Sequence, residues 1–379
     1  MKNLEQAFAK NFEEGLEHGA ALSVWARGRE ILSLHDGVAD PRTGDSWTEE
    51  TLVLAWSATK GPAAACLLHA MDAGGLDLEM PVNRVWPELR GVGGHPATFA
   101  EVLSHRSGLI ALDHGEATLL DHSSVVRALE AQVFKPRPDS AYSPRLYGFV
   151  LDELLRRITG GESLGDYWRR VFAEPLRLDF WIGLPEPLHG RVAMMIGPRL
   201  GPPREDDQEF AAAFADPTSE TRRAFSTPPG LSGPSQMNSP AFRSASLPAM
   251  GGIGSASALA GFYAMLANGG CSNGVSFFNP RMLEAMRRPL ARGRDAVLKR
   301  PVAFSAGFML DFAPVFPCAF GHPGAGGSLA FGDPQSGVSF AYLMNRMDAG
   351  AMPGPRCQRL VNALAECLPE FATDSTASA

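Results

Sequence analysis

Segments with strand character lie at both ends of this 379-residue chain, and a long helical stretch separates them. Near the start, residues 21–40 predict two strands joined by a turn at Gly28, and near the end residues 303–312, 326–333 and 337–345 predict three more. Such a chain forms a single sheet only if its two ends meet. We therefore expect an α+β fold, an α/β/α sandwich in which helices flank an antiparallel sheet of about five strands.

The stretch between these strands has two parts of different composition. Residues 60–160 show helical periodicity with glycine stops, whereas residues 185–248 are rich in proline, serine and glycine. Proline fixes φ and lacks a backbone donor, so we expect the second part to form an irregular wall around a cleft. We predict a sandwich domain of residues 1–61 and 236–379, and a mainly helical insert of residues 62–235 that includes this Pro-rich loop.

The charge of the chain argues against partners that carry many negative charges. The formal net charge is -7 and the sequence pI is about 5.8, so bulk electrostatics does not favour nucleic acid or an anionic membrane. No apolar run approaches the roughly 18 residues that span a bilayer. We expect no nucleic-acid and no membrane partner, and the sequence leaves the oligomeric state open.

The cysteines and the first residues bear on the location of the protein. Five cysteines are an odd number, and they are spread along the chain without a CxxC pair, which is typical of a reducing compartment. The first residues predict an amphipathic helix with Leu4, Phe8 and Phe12 on one side, without the apolar core of a signal peptide. We expect a cytoplasmic protein.

The tetrapeptide Ser57-Ala58-Thr59-Lys60 is the first candidate for chemistry. Residues three apart on a helix share a face, so Lys60 can reach the Ser57 hydroxyl. A serine is a poor nucleophile until a neighbour takes its proton, and a desolvated lysine has a lowered pKa that suits this task. The N–H groups at a helix start could also stabilise an oxyanion. The tetrad alone is a weak signal, and by itself it favours a surface lysine one turn from a helix-capping serine.

Four further segments share their order and pattern with one superfamily. After SATK, a helix of small residues and then GLDLEMPV come AEVLSHRSGL, PDSAYSPRLYGFVLDELLRRITG, EPLRLDFWIGLPE and FGHPGAGGSLAFGD. Together they resemble the serine β-lactamase-like, penicillin-binding superfamily over nearly the whole chain. The most similar subgroup is the β-lactamase-like carboxylesterases, the family VIII esterases.

The resemblance implies roles for the matching residues. Ser57 would be the acylated nucleophile, and Lys60 and Tyr142 would be the general-base pair, with the tyrosine phenolate favoured by the nearby ammonium. The backbone N–H groups of Ser57 and Ala325 would form the oxyanion hole. The implied reaction is hydrolysis of a small-molecule acyl ester, without a cofactor.

Substrate contacts follow from the last motif and from departures within it. His322 and Gly324 would contact substrate, and Trp181 would line the acyl pocket, although core packing explains Trp181 equally well. Where the β-lactamases and peptidases have an asparagine two residues past the tyrosine, this chain has Pro144. His322 replaces a lysine and Pro323 a threonine or serine. A site without these polar contacts should favour neutral acyl esters.

Three other functions share this pattern. A β-lactamase or D-amino-acid peptidase or amidase would keep the same nucleophile, and an acyltransferase would deliver the acyl group to an alcohol or amine. A non-catalytic scaffold of the same fold is the alternative of a different class.

Other catalytic patterns have weaker support. A GxSxG match places Ser163 after a helix, whereas that motif needs a preceding strand, so we interpret Ser163 as a helix cap. His105 with Asp113 or Asp121 could complete a Ser-His-Asp triad, but we interpret His105 as a hydrogen-bonded structural residue. Residues 114–116 match part of a zinc-deaminase signature whose second cysteine is missing, so we expect no metal.

Overall fold

A computed structural model describes residues 1–113, 117–199 and 201–373. The strands in these ranges are, in chain order, β1 (Gly19–Ala26), β2 (Arg29–Asp40), β3 (Asp45–Ser46), β4 (Val53–Leu54), β5 (Arg90–Gly91), β6 (Val133–Phe134), β7 (Phe180–Ile182), β8 (Gly252–Gly254), β9 (Cys271–Ser272), β10 (Val275–Ser276), β11 (Ala291–Arg294), β12 (Pro301–Phe304), β13 (Met309–Leu310), β14 (Phe320–Pro323), β15 (Leu329–Asp333) and β16 (Val338–Met344).

The helices lie between these strands and at both ends of the described chain. They are α1 (Lys2–Glu13), α2 (Lys60–Ala73), α3 (Phe99–Leu103), α4 (His122–Ala131), α5 (Leu146–Thr159), α6 (Leu164–Trp168), α7 (Glu174–Leu176), α8 (Gln208–Ala215), α9 (Glu220–Ser226), α10 (Pro234–Met237), α11 (Pro240–Ser244), α12 (Ala256–Ala267), α13 (Pro280–Arg287) and α14 (Pro355–Thr373).

The two ends of the chain meet in one large antiparallel sheet. Its strand order is β11-β12-β13-β14-β15-β16-β1-β2-β3, and β1 pairs with β16 so that Leu22 lies opposite Tyr342. The turn between β1 and β2 places Arg27 and Gly28 at positive φ, which glycine adopts without a steric cost. The α+β fold with an antiparallel sheet that joins both ends is confirmed.

The sheet has nine strands within the described residues, whereas about five were expected. The additional strands are β3 and β11 at its two edges and β14 in its interior, and one expected strand is divided in two. Residues 303–312 are two strands, β12 and β13, which pair so that Ala303 lies opposite Leu310. The turn between them contains Gly307 at φ 90, where a Cβ would lie 2.1 Å from the Ala64 Cβ. The turn does not appear in the sequence pattern because both faces of this segment are buried and apolar.

Side chains of β1 and β16 alternate between two cores. Leu22 and Tyr342 face α1 and α14, whose apolar stripes cover one side of the sheet. Ala341 and Leu343 face the other side, in the core that contains α2 and α12. This period of two is the expected pattern for a sheet covered on both faces, and it gives the α/β/α sandwich.

The Pro-rich stretch forms short pieces of helix. The longest helix described in residues 185–248 is α8, with eight residues, which fits the restriction that proline places on helices. The division into residues 1–61 with 236–379 and residues 62–235 stays a prediction. None of the helices described in residues 1–113, 117–199 and 201–373 has the length and apolarity to cross a membrane. All five cysteines are free thiols.

Candidate active site

Ser57 lies in the 3-10 turn Trp56–Thr59, which runs directly into α2. Trp56 has φ 53 in the left-handed region, a conformation that costs a non-glycine residue about 1–3 kcal/mol and persists only where its surroundings fix it. The fixing contact is Thr59, whose hydroxyl donates to the Trp56 carbonyl and accepts the N–H of Gly252 in β8 at 2.9 Å. Ser57 is therefore held, half-buried, at the start of a buried helix.

Lys60 is fully buried, and its amine has three neighbours. Nζ lies 2.9 Å from the Ala249 carbonyl, 3.1 Å from the Pro144 carbonyl and 3.3 Å from Ser57 Oγ. Burial lowers the pKa of Lys60 well below its ordinary range. A carbonyl can only accept, so the two carbonyls take two N–H groups of the amine and leave the third direction for Ser57. In the neutral amine that direction is the lone pair.

Tyr142 is the second side chain that contacts the nucleophile Ser57. Its hydroxyl interacts with the Ser57 side chain, and Lys60 Nζ lies 4.8 Å from the centre of its ring. Burial raises the pKa of Tyr142; the Ser57 contact lowers it in part, and the Asp295 carboxylate raises it further. The structure therefore favours the phenol over the expected phenolate, because burial disfavours the charged form of the tyrosine as well as that of the lysine.

A buried carboxylate positions Tyr142. Asp295 is inaccessible to solvent and accepts the Tyr142 N–H at 2.9 and 3.1 Å. It also accepts the N–H groups of Val297 and Leu298. Sequence reasoning missed Asp295. An aspartate whose side chain accepts the backbone N–H two residues later is typical of a turn. This local pattern does not indicate a contact with a tyrosine 153 positions away in the sequence.

The His105 ring packs against the ring of Tyr142. Its Nδ1 accepts the Ser143 N–H at 3.2 Å, and its ring centre lies 4.9 Å from that of Tyr142 and 4.5 Å from that of Tyr147. Burial lowers the pKa of His105 well below its ordinary range, and the charge of Lys60 lowers it further. The interpretation of His105 as a hydrogen-bonded structural residue is confirmed.

The other patterns do not assemble at Ser57 within the described residues. Asp113 pairs with Arg223 at 2.6 Å, and Asp121 caps α4 by accepting the Ser124 N–H, so neither completes a triad with His105. The interpretation of Ser163 as a helix cap is confirmed, because its side chain accepts the N–H of Asp166 in α6. Residues 114–116 lie outside the described residues.

The turn after β14 packs against the nucleophile turn. Gly324 ends the strand, and a Cβ there would lie 2.5 Å from the Ala55 carbonyl oxygen, so only glycine permits this approach. Ser328 stabilises this contact between the two turns, because its hydroxyl donates to the Ala55 carbonyl at 3.0 Å. Ala325 then opens the 3-10 turn Ala325–Gly327. The first N–H groups of a helical turn have no acceptor within it, which leaves those of Ser57 and Ala325 suited to an oxyanion.

His322 lies on β14 beside the tyrosine, with 5.9 Å between the two ring centres. Its Nδ1 is 2.6 Å from the Pro323 carbonyl oxygen and so carries the proton. Its Nε2 is buried without a hydrogen-bond partner among the described residues. Burial and the nearby Lys60 lower the pKa of His322 to about 3. The residue is therefore neutral where the β-lactamases carry a lysine.

The side-chain contacts described for Trp181 are with residues outside this group. Its ring centre lies 4.0 Å from the Arg169 guanidinium, and its Nε1 donates to Asp179 at 2.7 Å. It alternates with the buried neighbours Phe180 and Ile182 along β7 and points to the other side. The contacts described for Trp181 do not support the expected role in the acyl pocket.

The Pro-rich loop reaches the site through Arg145, the residue after Pro144. The Arg145 guanidinium is largely buried and donates to the carbonyls of Pro228 at 2.7 Å and Leu231 at 2.9 Å. These bonds hold the loop against the segment that carries Tyr142. Across the described ranges, no group of three or more histidine, cysteine, aspartate or glutamate side chains is arranged to hold a metal ion.

Comparisons with known proteins cover the same residues. The family described as Beta-lactamase matches residues 8–362. The chain is 31% identical over 358 residues to the esterase/beta-lactamase LipL of Mycobacterium tuberculosis (strain ATCC 25618 / H37Rv), covering 90% of this chain and 80% of that protein.

Two solved structures are similar over almost their whole length. A penicillin-binding protein homologue from Caulobacter crescentus has 33% identity and a TM-score of 0.85, covering 96% of both chains. A family VIII carboxylesterase has 31% identity and a TM-score of 0.86, covering 97% of both chains. The sequence and the fold agree, and the chain belongs to the beta-lactamase family of serine hydrolases.

Proposed function

We propose that this protein is a serine carboxylesterase that cleaves small acyl esters through an acyl-enzyme on Ser57. The observation that carries the proposal is the surroundings of Lys60. Two backbone carbonyls occupy two directions of its buried amine, and the third faces Ser57 Oγ at 3.3 Å. A lysine in this position is pre-arranged to take the serine proton.

The first half-reaction forms the acyl-enzyme. Ser57 Oγ attacks the ester carbonyl while the neutral Lys60 amine takes its proton, and the carbonyl π electrons move onto the oxygen. The N–H groups of Ser57 and Ala325 stabilise that oxyanion, a contribution of about 10²–10³ in rate per donor. The carbon–oxygen bond to the alcohol then breaks as the carbonyl re-forms.

Tyr142 completes the proton transfer. Its pKa is raised by burial, so it is a phenol that can donate to the departing alkoxide and recover a proton from the Lys60 ammonium. In the second half-reaction water follows the reverse path. As water attacks the acyl carbon it gives its proton to Tyr142, which passes its own phenol proton to the Lys60 amine. The Lys60 ammonium then returns a proton to Ser57 Oγ as the acid leaves.

Two features support esters over β-lactams and amides. Pro144 has no donor with which to hold a substrate amide, and the neutral His322 offers no cation to a substrate carboxylate. A site that cannot pair such groups discriminates against substrates that carry them. The name of the Mycobacterium tuberculosis relative, esterase/beta-lactamase, makes β-lactam hydrolysis the second candidate.

Hydrolysis of p-nitrophenyl acetate, p-nitrophenyl octanoate and nitrocefin by the wild type and Ser57→Ala tests the proposal. We expect fast ester cleavage, slow nitrocefin cleavage and loss of both in Ser57→Ala. Ser163→Ala is the matched control and should retain activity, because Ser163 caps a helix. Full activity in Ser57→Ala would contradict the mechanism, and nitrocefin turnover faster than that of the esters would favour the β-lactamase.

We also propose a cytoplasmic location. Cys271 and Cys318 are exposed thiols, and exposed free thiols persist in a reducing compartment. Cell fractionation with thiol labelling before and after lysis tests this, since labelling of intact cells by an impermeant reagent would contradict it.

A further inference from the structure

An apolar cavity of about 420 Å³ lies between the Pro-rich segment and the loop after β16. Three phenylalanines form its main wall: Phe210 and Phe214 from α8, and Phe225 from α9. Their ring centres lie 5.6 to 5.9 Å from one another. We call this cavity with its three rings the phenylalanine pocket. Its volume is about fourteen times the roughly 30 Å³ that one water molecule occupies, so it can hold a chain of several carbons.

One side of the phenylalanine pocket adjoins the base pair. The Phe225 ring centre lies 6.5 Å from that of Tyr142, and Phe225 packs on the buried apolar cluster that contains Tyr142. Tyr142 in turn contacts Ser57. Phe225, a residue of the pocket wall, is therefore a neighbour of Tyr142, the residue that contacts the nucleophile.

The opposite side adjoins the oxyanion turn. Asp348 lines the pocket, and its N–H donates to the Gly326 carbonyl at 2.8 Å. A Cβ at Gly326 would lie 2.8 Å from the Met347 side chain, so the loop lies directly on the turn that begins at Ala325. Two wall residues therefore connect the pocket to the site: Phe225 packs beside Tyr142, and Asp348 bonds to the turn that begins at Ala325.

The charged residues in the wall are already paired. Asp207 bonds to Arg204 Nε at 2.8 Å and to Arg300 at 3.3 Å. Asp348 bonds to Arg356 at 3.0 Å. The wall residues named here therefore present no charge that would select a charged ligand, and the aromatic rings favour an apolar one.

The three rings are not closed off from solvent. Phe214 is 36% exposed, and Phe210 and Phe225 are partly exposed. A cluster of rings open to water loses the free energy that burial would contribute, and such clusters mark binding sites. The contact of Phe225 with Tyr142 and the bond from Asp348 to Gly326 link the pocket to the site of Ser57, which points to the ester as the occupant.

We propose that the phenylalanine pocket binds the apolar arm of the ester, and that esters with a medium-length apolar chain are the substrate class. This inference rests on the proposed esterase function. The arm can belong to the acyl group or to the alcohol, and two substrate series distinguish them.

The test compares chain-length dependence in the wild type and in Phe210→Ala/Phe214→Ala. The acyl series is p-nitrophenyl acetate, butyrate, hexanoate and octanoate, and the alcohol series is ethyl, butyl and hexyl acetate. In the wild type kcat/KM should rise about threefold to fourfold per buried methylene in one series. In the variant the ratio between the longest and shortest substrate of that series should fall by about tenfold or more.

Controls separate this inference from folding and from the proposed function. Phe214→Leu keeps an apolar side chain and should retain most of the chain-length dependence, and Val275→Ala changes an exposed apolar residue of β10 and should retain all of it. Equal thermal unfolding of the variants shows that they fold.

Loss of the chain-length dependence in one series supports the pocket, and that series shows whether the apolar arm belongs to the acyl group or to the alcohol. If Phe210→Ala/Phe214→Ala leaves both series unchanged while Ser57→Ala abolishes acetate hydrolysis, the pocket is wrong and the esterase stands. If Ser57→Ala remains active, the esterase mechanism itself fails.

Discussion

At the scale of single residues, the chemistry depends on which groups lose contact with water. Lys60 and Tyr142 are both buried, and burial lowers the pKa of the first and raises that of the second. Each shift favours an uncharged side chain. The resting pair is therefore an amine that can accept the Ser57 proton and a phenol that can donate one, rather than an ammonium and a phenolate.

Replacing Lys60, the proposed general base, should abolish most activity even when the new side chain can carry a positive charge. Lys60→Arg and Lys60→Met should both lower kcat/KM for p-nitrophenyl acetate by about 10²–10⁴, because a guanidinium does not give up its proton in a protein. Lys10→Arg, at an exposed position of α1, is the matched control and should be unchanged. Activity of Lys60→Arg within a few-fold of the wild type would contradict the role of Lys60.

The pH dependence should report the same group. The pKa of Lys60 is lowered, so its neutral form exists well below the ordinary lysine value of about 10.4. We expect kcat/KM to be highest on the alkaline side and to fall as the pH drops through the pKa of Lys60. His322, with a pKa of about 3, should not titrate in the neutral range. A profile that rises only near a pH of about 10.4 would contradict the burial argument.

At the scale of elements, two short 3-10 turns from opposite parts of the sequence build the site. The turn Trp56–Thr59 leads into α2, and the turn Ala325–Gly327 follows β14. They meet because Gly324 has no side chain to separate them. A third segment, between β11 and β12, contributes Asp295, which fixes the backbone of Tyr142.

Removing the Asp295 carboxylate should affect both stability and kcat. Asp295→Ala leaves three buried N–H groups without their acceptor, each worth about 1–3 kcal/mol, so we expect a loss of about 3 kcal/mol or more in the free energy of unfolding. Asp295→Asn keeps one acceptor oxygen and should lose less. Urea denaturation measures this.

Kinetics separates positioning from a purely structural role. If Asp295 positions Tyr142, kcat for p-nitrophenyl acetate should fall in both variants with little change in KM. Asp311→Ala removes an exposed carboxylate paired with Arg292 and should change stability by no more than about 0.5 kcal/mol. Asp295 variants with unchanged kcat would show that Tyr142 does not need this support.

At the scale of the whole molecule, the two ends of the chain support the oxyanion turn. Arg356 of α14 is buried and donates to the Gly326 carbonyl at 2.8 Å and to the Leu16 carbonyl at 3.0 Å. It also pairs with the buried carboxylate of Glu17 at 2.7 Å. The pairing of β1 with β16 brings these residues together.

Breaking this buried pair should destabilise the whole fold. Arg356→Met leaves Glu17 buried and unpaired, so we expect the free energy of unfolding to fall by about 3–5 kcal/mol. Adding Glu17→Gln removes the unpaired charge and should restore part of the loss. Arg359→Met, in the same helix with a surface pair to Glu14, should lose no more than about 1 kcal/mol. Equal losses at Arg356 and Arg359 would contradict the importance of the buried pair.

The sequence by itself determined the features that depend on near neighbours. Strand and helix patterns at the two ends predicted one antiparallel sheet, because hydrophobic period follows the local conformation. The spacing of Ser57 and Lys60 predicted their approach, because three residues on a helix return to the same face. The cap at Ser163 was likewise a local signal.

Only the tertiary structure decided contacts between distant segments and the charge states that follow from them. The hydrogen bonds from Tyr142 to Asp295, the assembly of the phenylalanine pocket and the contact of Trp181 with Arg169 depend on how the segments pack. The phenol form of Tyr142 depends on the same packing, because the desolvation that sets its pKa comes from the whole surrounding structure. Local sequence fixes the conformation of a segment, and burial is a property of the folded chain.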